Sequence, residues 1–590
     1  MKEATALEKI WPSDDAVSTR FPIFTRANTG EVFTVASSPF TWSLFGRVDY
    51  EGGFRDALYT MGVFTPDDFG PEGHGRCETV ASFGGYVYIN VSIFRILGLR
   101  APGMSPEAID QSFFGDNPNI TPYTPHPDDE NDERSAATGA WMAQVIGAPK
   151  GDTDNERHRE EIDFLIAQRP DLPSLTHQEL FERAQYLADR LRPVFATHMV
   201  NLYAATIVTG LITGAAALAG RPGLETRVIS GFGDVHSAQQ SFELWNLSRI
   251  VRNSPALTAA FDEGLSGLQD RLSSAEGPDA ERFRSAWDTF LGNWGFIGPS
   301  VWELRSATYS SDPSIVLHMI DSARKASDDK SPTARTATFA AERTDAISEI
   351  SALLEGTDMQ PQFQAAAASA AITLPAREES KVQCTRIVNE ARLTMIELGT
   401  RFVASGDLTR WDDILLLMDT EVEDFLSDPA AWKEVIDERR AQLTELEGLV
   451  PPFIVEDSYP DRSLFVPAGT SNGSGPAAAG EVLQGLGVSP GIHTGLVKVV
   501  HSIEEDIDIE PGDVLVAQTT DSSWGALFLS AGAVVGATGA AVSHAAIVSR
   551  ELGIPAAVSV PNATTRLRSG MTVTVDGATG TVTVVDVPAV

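Results

Sequence analysis

Cysteine is nearly missing from this sequence. Its 590 residues hold two, Cys77 and Cys384, far apart and without a CxxC pair. That excludes a disulfide framework and a cysteine-based zinc site, and it fits a reducing compartment. Basic residues are scarce as well: 44 Lys and Arg stand against 81 Asp and Glu, for a net charge of −37. A chain so acidic is poorly suited to displacing counterions from phosphates, which argues against non-specific nucleic-acid binding and predicts no nucleic-acid partner. Long apolar runs are also lacking. The longest, "AATIVTGLITGAAALAG" (204–220), is uncharged but at about 17 residues only reaches the lower limit for a membrane span. Arg221 and Glu225 follow it, so it predicts a buried, Ala-rich helix and no membrane association. The N-terminal "MKEATALEKIWPSDD" has no apolar centre, which predicts no secretory leader and a cytoplasmic protein. No GxxxxGK[ST] phosphate loop is found, nor strand–helix alternation long enough for an eight-unit barrel.

What is there is organised in two styles. Hydrophobic residues make up 43%, enough for cores in two to four domains. Before residue 467, apolar residues recur at three- and four-residue spacing in "HQELFERAQYLADRLRPVFATHMVNLYAA" (177–205), 241–265 and 384–406, which predicts helices. The stretches 117–135 and 328–336 predict surface loops. "PAGTSNGSGPAAAGE" (467–481) has flexible-linker composition. After it come short β-branched runs bounded by Gly, Asp and Pro, two short helices near 522–531 and 543–552, and a closing hairpin that turns at "DGATG". The expectation is a multidomain chain: a mainly α-helical region (1–466), a linker (467–481) and a C-terminal α/β domain (482–590).

His544, in "GAAVSHAAIVSRELGIPAAV" (539–558), is the residue with the most chemistry around it. Ser543 is a good N-cap, and Gly553 and Pro555 end the helix. His544 therefore sits in a first turn, beside free N–H groups and the positive end of the helix dipole. That setting favours a neutral, nucleophilic ring and an anion attached to it. A histidine capping its own helix is the plain alternative. No second His, Asp or Glu stands nearby at ligand spacing, so no metal site is predicted.

Residues 519–585 closely resemble the mobile phosphohistidine domain of the phosphoenolpyruvate-utilising enzymes, which include phosphoenolpyruvate synthase, pyruvate phosphate dikinase and rifampin phosphotransferase. "LGVSPGIHTGLVKVV" (486–500) resembles that domain's opening strands. The resemblance implies a swivelling domain whose His544 is phosphorylated in turnover, with Ser543 and Gly539 as its supports. Two positions depart from the pattern: Ala540 follows Gly539 where Gly-Gly is usual, and Ser559 stands where Gly is usual. "FTRANTGEVFTVASSPFTWSL" (24–44), 290–313 and 376–426 more patchily resemble the acceptor-binding domain of rifampin phosphotransferase-like proteins. No ATP-grasp region is evident. The expected arrangement is that of two-component phenol-phosphorylating synthases, such as phenylphosphate and 4-methylphenyl phosphate synthases. There ATP and Mg2+ sit on a separate ATP-grasp subunit, ATP yields AMP and phosphate, and this chain passes the phosphoryl group to a small phenolic compound. A rifampin phosphotransferase-like antibiotic or alcohol acceptor is the alternative within that chemistry, and a regulatory phosphocarrier lies outside it.

An acceptor site needs cations on the phosphoryl oxygens and a base near the hydroxyl. Arg377 and Lys381 stand one helical turn apart in "REESK", and the resemblance implies a phosphoryl clamp there. His236 and Asp234 in "GDVHSAQQ" offer a base, although a helix-capping loop histidine is an equal reading. Glu303, Arg305, Arg26 and Asn28 are further substrate-binding candidates. Trp42, Trp245, Trp294 and Trp302 can line an aromatic pocket or simply fill a core.

Overall fold

Two long helices form the spine of the region before residue 467 in the structure, a computed structural model. It describes residues 10–70, 75–114, 120–147, 153–233, 236–328, 331–467, 475–503, 509–540 and 543–588. The helices used below are α1 (Glu51–Thr60), α2 (His177–Leu218), α3 (His236–Arg252), α4 (Ser314–Lys325), α5 (Pro332–Leu353), α6 (Met359–Ser405), α7 (Gly525–Ser530) and α8 (His544–Leu552). The spine is α2 and α6, of 42 and 47 residues. At 1.5 Å per residue they are about 60–70 Å long. They run antiparallel. His177 meets Phe402, Arg183 pairs with Glu390, His198 meets Ser380, and Asn201 bonds the Ala376 carbonyl.

A Thr176–Glu179 capping box starts α2, and Gly406, in the left-handed region at φ +88°, ends α6. Each helix carries an interior proline, Pro193 and Pro375. A proline removes one ladder hydrogen bond and loosens the turn around it. Just beyond Pro375, the Asn155 side chain donates to the Ala376 carbonyl at 2.7 Å. The helical pattern at 241–265 is divided in the structure: α3 ends at Arg252, and Pro255 opens a new helix at its favoured first position.

This region is not all helix. Strands β1 (Ile23–Thr25), β2 (Val80–Phe83), β3 (Tyr86–Asn90) and β5 (Ile454–Glu456) make an antiparallel sheet in the order β2-β3-β1-β5. β4 (Leu449–Val450) and β6 (Val466–Pro467) form a separate pair. Because β5 returns to β1, the end of the region closes on its start. Its core joins this sheet to the spine through residues such as Phe24, Phe40, Tyr88, Leu187, Leu191 and Leu398. The apolar stretch of α2 is long and apolar enough to cross a membrane, and half of it is buried. Val208, Ile212 and Ala216 pack there against Ile350 of α5 and Phe363 and Ala370 of α6.

The C-terminal domain is an eight-stranded mixed sheet. Its strands are β7 (Val482–Gln484), β8 (Leu486–Ser489), β9 (Ile492–Val500), β10 (Val514–Ala517), β11 (Ala533–Gly536), β12 (Ala556–Val558), β13 (Thr572–Asp576) and β14 (Thr581–Asp586). The order is β7-β14-β13-β9-β10-β11-β12-β8, with β9 to β12 parallel. Helix α7 links β10 to β11, and α8 links β11 to β12, as parallel neighbours require. Successive side chains of β10 alternate: Val514 and Val516 enter one core, Leu515 and Ala517 another. The second of these cores does not stop at the domain. It runs on through α7 and α8 into Leu244, Trp245, Ile315 and Met319 of α3 and α4.

Half of the expected linker, residues 468–474, lies outside the described residues. The other half is no free tether. Ala477 is buried and donates to the Arg566 carbonyl, Gly480 donates to Val584, and Glu481 pairs with Arg566. Small residues there serve close packing on the sheet edge.

Candidate functional site

Helix α8 begins as its sequence dictates. The Ser543 hydroxyl accepts from the Ala546 amide, and Gly553, at φ +62°, ends the helix. Gly539 lies ahead of it at φ +142°, where a Cβ would come within 2.8 Å of Val558. Ser559, at the position where glycine is usual, adopts φ +51°, and its hydroxyl bonds the Gly539 carbonyl. The departure from the pattern thus leaves the left-handed turn in place and adds a hydrogen bond.

All nine residues of α8 are buried, between the sheet and the helical region. His544 is 1% exposed, and neither ring nitrogen has a hydrogen-bond partner among the described residues. Phe528 stands edge-on to it at 6.4 Å. Burial pulls its pKa down to about 3, and the positive charge of Lys381 adds to the shift. His544 is therefore neutral at pH 7, with a lone pair available.

The docked position is held by polar links. The Phe232 and Gly233 amides donate to Glu551, the Tyr309 hydroxyl donates to the Ser523 carbonyl, and the Ser300 amide donates to Asp521. Lys325 pairs with Glu510 at 3.3 Å.

Across from α8 lies the turn of α6 that carries Arg377 and Lys381, 5% and 7% exposed. Arg377 pairs with Glu378 through Nη1, while its Nε has no partner among the described residues. No carboxylate lies within ion-pair distance of the Lys381 ammonium among the described residues. A buried cation left this open, as Lys381 is, is anion-seeking. His544 and His198 both feel these two positive charges.

Behind the cations is a cavity of about 50 Å³. Its walls are aromatic: Phe33, Trp42, Tyr50, Phe54, Phe195 and Trp302. Tyr50 stacks on Trp302 at 5.5 Å, and Phe195 meets both edge-on. Trp42 and Tyr50 come from a π-helical stretch, Trp42–Tyr50, of the kind often found at functional sites. The Trp42 ring lies over Gly46, where a Cβ would meet it at 2.4 Å.

His198 closes the cavity's polar end, and sequence reasoning did not single it out. It stands on the apolar face of α2 with Leu191, Phe195 and Leu202, so its spacing reads as core. Ser380 donates its only hydroxyl hydrogen to the Arg377 carbonyl, so at 3.1 Å it accepts from His198 Nδ1–H. Nε2 is then left as an acceptor. Burial lowers the His198 pKa to about 3, with Arg377 and Lys381 contributing.

The other candidates are dispersed. Asn28 lines the cavity. Arg26 does not: its guanidinium bonds the Phe33 and Val87 carbonyls and lies under the Tyr86 ring. Glu303 is fully buried, and its carboxylate takes bonds from Ser37, Ser38, Thr41 and the Arg305 amide, so it is a structural anchor away from the cavity wall. Arg305 pairs with Glu447 rather than Glu303 and bonds the Ala36 carbonyl. Asp234 lies outside the described residues. His236 opens α3, but its side chain is likewise outside them. Trp42 and Trp302 line the cavity, whereas Trp245 and Trp294 belong to the core beneath the C-terminal domain.

The chain matches the rifampicin phosphotransferase fourth domain over residues 193–378 and the PEP-utilising enzyme mobile domain over residues 509–580. The first match contains His198 and Arg377, the second His544. An uncharacterized protein of Mycobacterium tuberculosis is 26% identical over 97% of this chain and 62% of its own length. The prodigiosin synthesizing transferase PigC of Serratia marcescens is 26% identical over 97% of this chain and 64% of its own. The rifampicin phosphotransferase of Bacillus subtilis is 30% identical over 32% of this chain and 21% of its own. The chain thus spans about 62% of the length of the first relatives it matches. The chain is thus similar to rifampicin phosphotransferase in its fourth domain and, around His544, to the phosphohistidine mobile domain of the PEP-utilising enzymes.

Proposed function

We propose that His544 carries a phosphoryl group from a separate ATP-grasp unit to the hydroxyl of a small phenolic compound held in the aromatic cavity. One observation carries this reading: a buried, neutral His544, with no hydrogen-bond partner among the described residues, feels the charge of two buried cations that also line the cavity. ATP and Mg2+ belong to the donor unit. Among the described residues no three carboxylate, imidazole or thiol groups gather as a metal site, and each step below uses the chain's own side chains.

In transfer, Arg377 and Lys381 hold the phosphoryl oxygens as charge shifts onto them. The hydroxyl donates to His198 Nε2, which orients its lone pair toward phosphorus. The P–N bond to His544 breaks and the P–O bond to the acceptor forms. The hydroxyl proton replaces the phosphoryl group on the ring, which returns to neutral imidazole. With its low pKa, His198 aligns the proton without storing it. At about 50 Å³ the cavity is far too small for a macrocyclic antibiotic and admits a single ring only as its walls move apart. It has space for only a few water-sized groups.

The test is discharge. The chain is loaded with MgATP and a cognate ATP-grasp protein, mixed with a panel of phenols and alcohols, and followed by phosphorus NMR. An aryl phosphate formed from one-ring phenols is the expected product. Discharge to large antibiotics and to none of the phenols would overturn the acceptor assignment.

A further inference from the structure

Two buried polar atoms of rings that line the cavity have no hydrogen-bond partner among the described residues. The Tyr50 hydroxyl and the Trp302 indole N–H belong to residues 2% and 6% exposed, and neither has a hydrogen-bond partner among the described residues. Both rings line the cavity. Buried polar atoms are almost always paired, and leaving one bare costs as much as a lost bond. Indole N–H can only donate. Burial drives the Tyr50 pKa well above its ordinary value, so its hydroxyl keeps its proton to donate. These donors are separate from the transfer machinery, since the reactive hydroxyl and the phosphoryl group are taken by His198, Arg377 and Lys381.

The surroundings also say what charge the missing partner has. Glu303 acts on Tyr50 as a negative charge, whereas burial pushes the Asp49 pKa up to about 8 and leaves that carboxyl largely neutral at pH 7. Arg392, the nearby cation, is occupied by the Val301, Glu303 and Leu304 carbonyls and by Asn389. Among the described residues, no cation other than Arg377 and Lys381 lines the cavity. A carboxylate at the Tyr50 end would be desolvated without a counter-charge.

We infer that the cavity's ligand carries, besides its reactive hydroxyl, a second and neutral hydrogen-bond acceptor that takes the Tyr50 hydroxyl and the Trp302 N–H. The ligand is then a one-ring hydroxylated aromatic with a carbonyl-type oxygen. The inference rests on the phenol reading above for its reactive hydroxyl alone. A site built around buried donors discriminates strongly against a ligand that leaves them bare.

Calorimetry on the full-length resting protein tests this without any phosphorylation. The probes are 3- and 4-hydroxyacetophenone, the matching ethylphenols that lack the acceptor, and 4-hydroxybenzoate as the charged control. At least one hydroxyacetophenone should bind roughly tenfold or more tightly than its ethylphenol, since a net hydrogen bond is worth about that factor. The benzoate should bind weakest. In Tyr50→Phe and Trp302→Phe that preference, taken against each variant's own ethylphenol affinity, should fall to about twofold or less. Ethylphenols that bind as well as the ketones in wild type would overturn the inference and leave the phenol reading standing. A preference unchanged in both variants would overturn it as well. Failure of every ring compound to bind would overturn both.

Discussion

Acid should undock the C-terminal domain, and His544 should set the size of the effect. The docked ring is held neutral, with its pKa down at about 3. Undocked, it regains the ordinary value of about 6.5. A histidine with a depressed pKa supports the docked form fully above 6.5. That support is lost as pH falls from 6.5 toward 3, because only the undocked ring takes up the proton. The loss is about 1.4 kcal/mol at pH 5.5 and about 2.7 kcal/mol at pH 4.5, a factor of roughly ten per unit. Asp521 and Glu551, also at the interface, have raised pKa values from burial and act in the opposite sense. Comparison with His544→Gln, which keeps both, isolates the ring. Dyes on cysteines introduced at exposed Thr289 and Val585 would report docking by energy transfer, since Cys77 and Cys384 are buried. Wild type should lose transfer with about one proton more of pH dependence than His544→Gln between pH 6.5 and 4.5. Equal slopes would refute the burial argument.

Other perturbations separate the site's parts. Lys381→Met should slow discharge of phosphorylated His544 to an acceptor by roughly 10²–10³-fold while leaving its loading intact. Single-turnover measurements of the two half-reactions check this, and equal slowing of both would contradict it. His198→Phe should slow discharge by roughly 10–10²-fold with little loss of stability, because Ser380 still bonds the Arg377 carbonyl. Quenched-flow discharge and thermal melts read the two effects. Gly539→Ala places a Cβ 2.8 Å from Val558 in a positive-φ turn. It should cost about 1–3 kcal/mol of stability in denaturant titrations, and an unchanged midpoint would show the turn to be loose.

The C-terminal domain was largely legible in the sequence because its signals are local. Glycines and β-branched runs mark β9 to β14, and Ser543 and Gly553 mark the ends of α8. The four-stranded sheet was not legible: β1 and β5 are three residues each and pair across most of the chain. The structure brings Arg377, Lys381 and His544 together, from a motif on one helix and a motif on another. His198 was hidden because a histidine among Leu191, Phe195 and Leu202 has the period of a core residue. Its chemistry comes from the antiparallel pairing of α2 with α6, which no local pattern encodes. Glu303 and Arg305 misled for a related reason. Charged residues after a Gly-rich turn suggest a site, yet here they satisfy the hydroxyls and backbone groups of residues 36–41.

The most direct measurement is the intact mass of the chain after incubation with MgATP and an ATP-grasp partner, for wild type and His544→Ala. A single acid-labile, alkali-stable phosphoryl adduct on wild type, absent from His544→Ala and discharged by a one-ring phenol, is the expected result. An adduct that survives in His544→Ala, or none on wild type, would contradict the claim that His544 is the carrier.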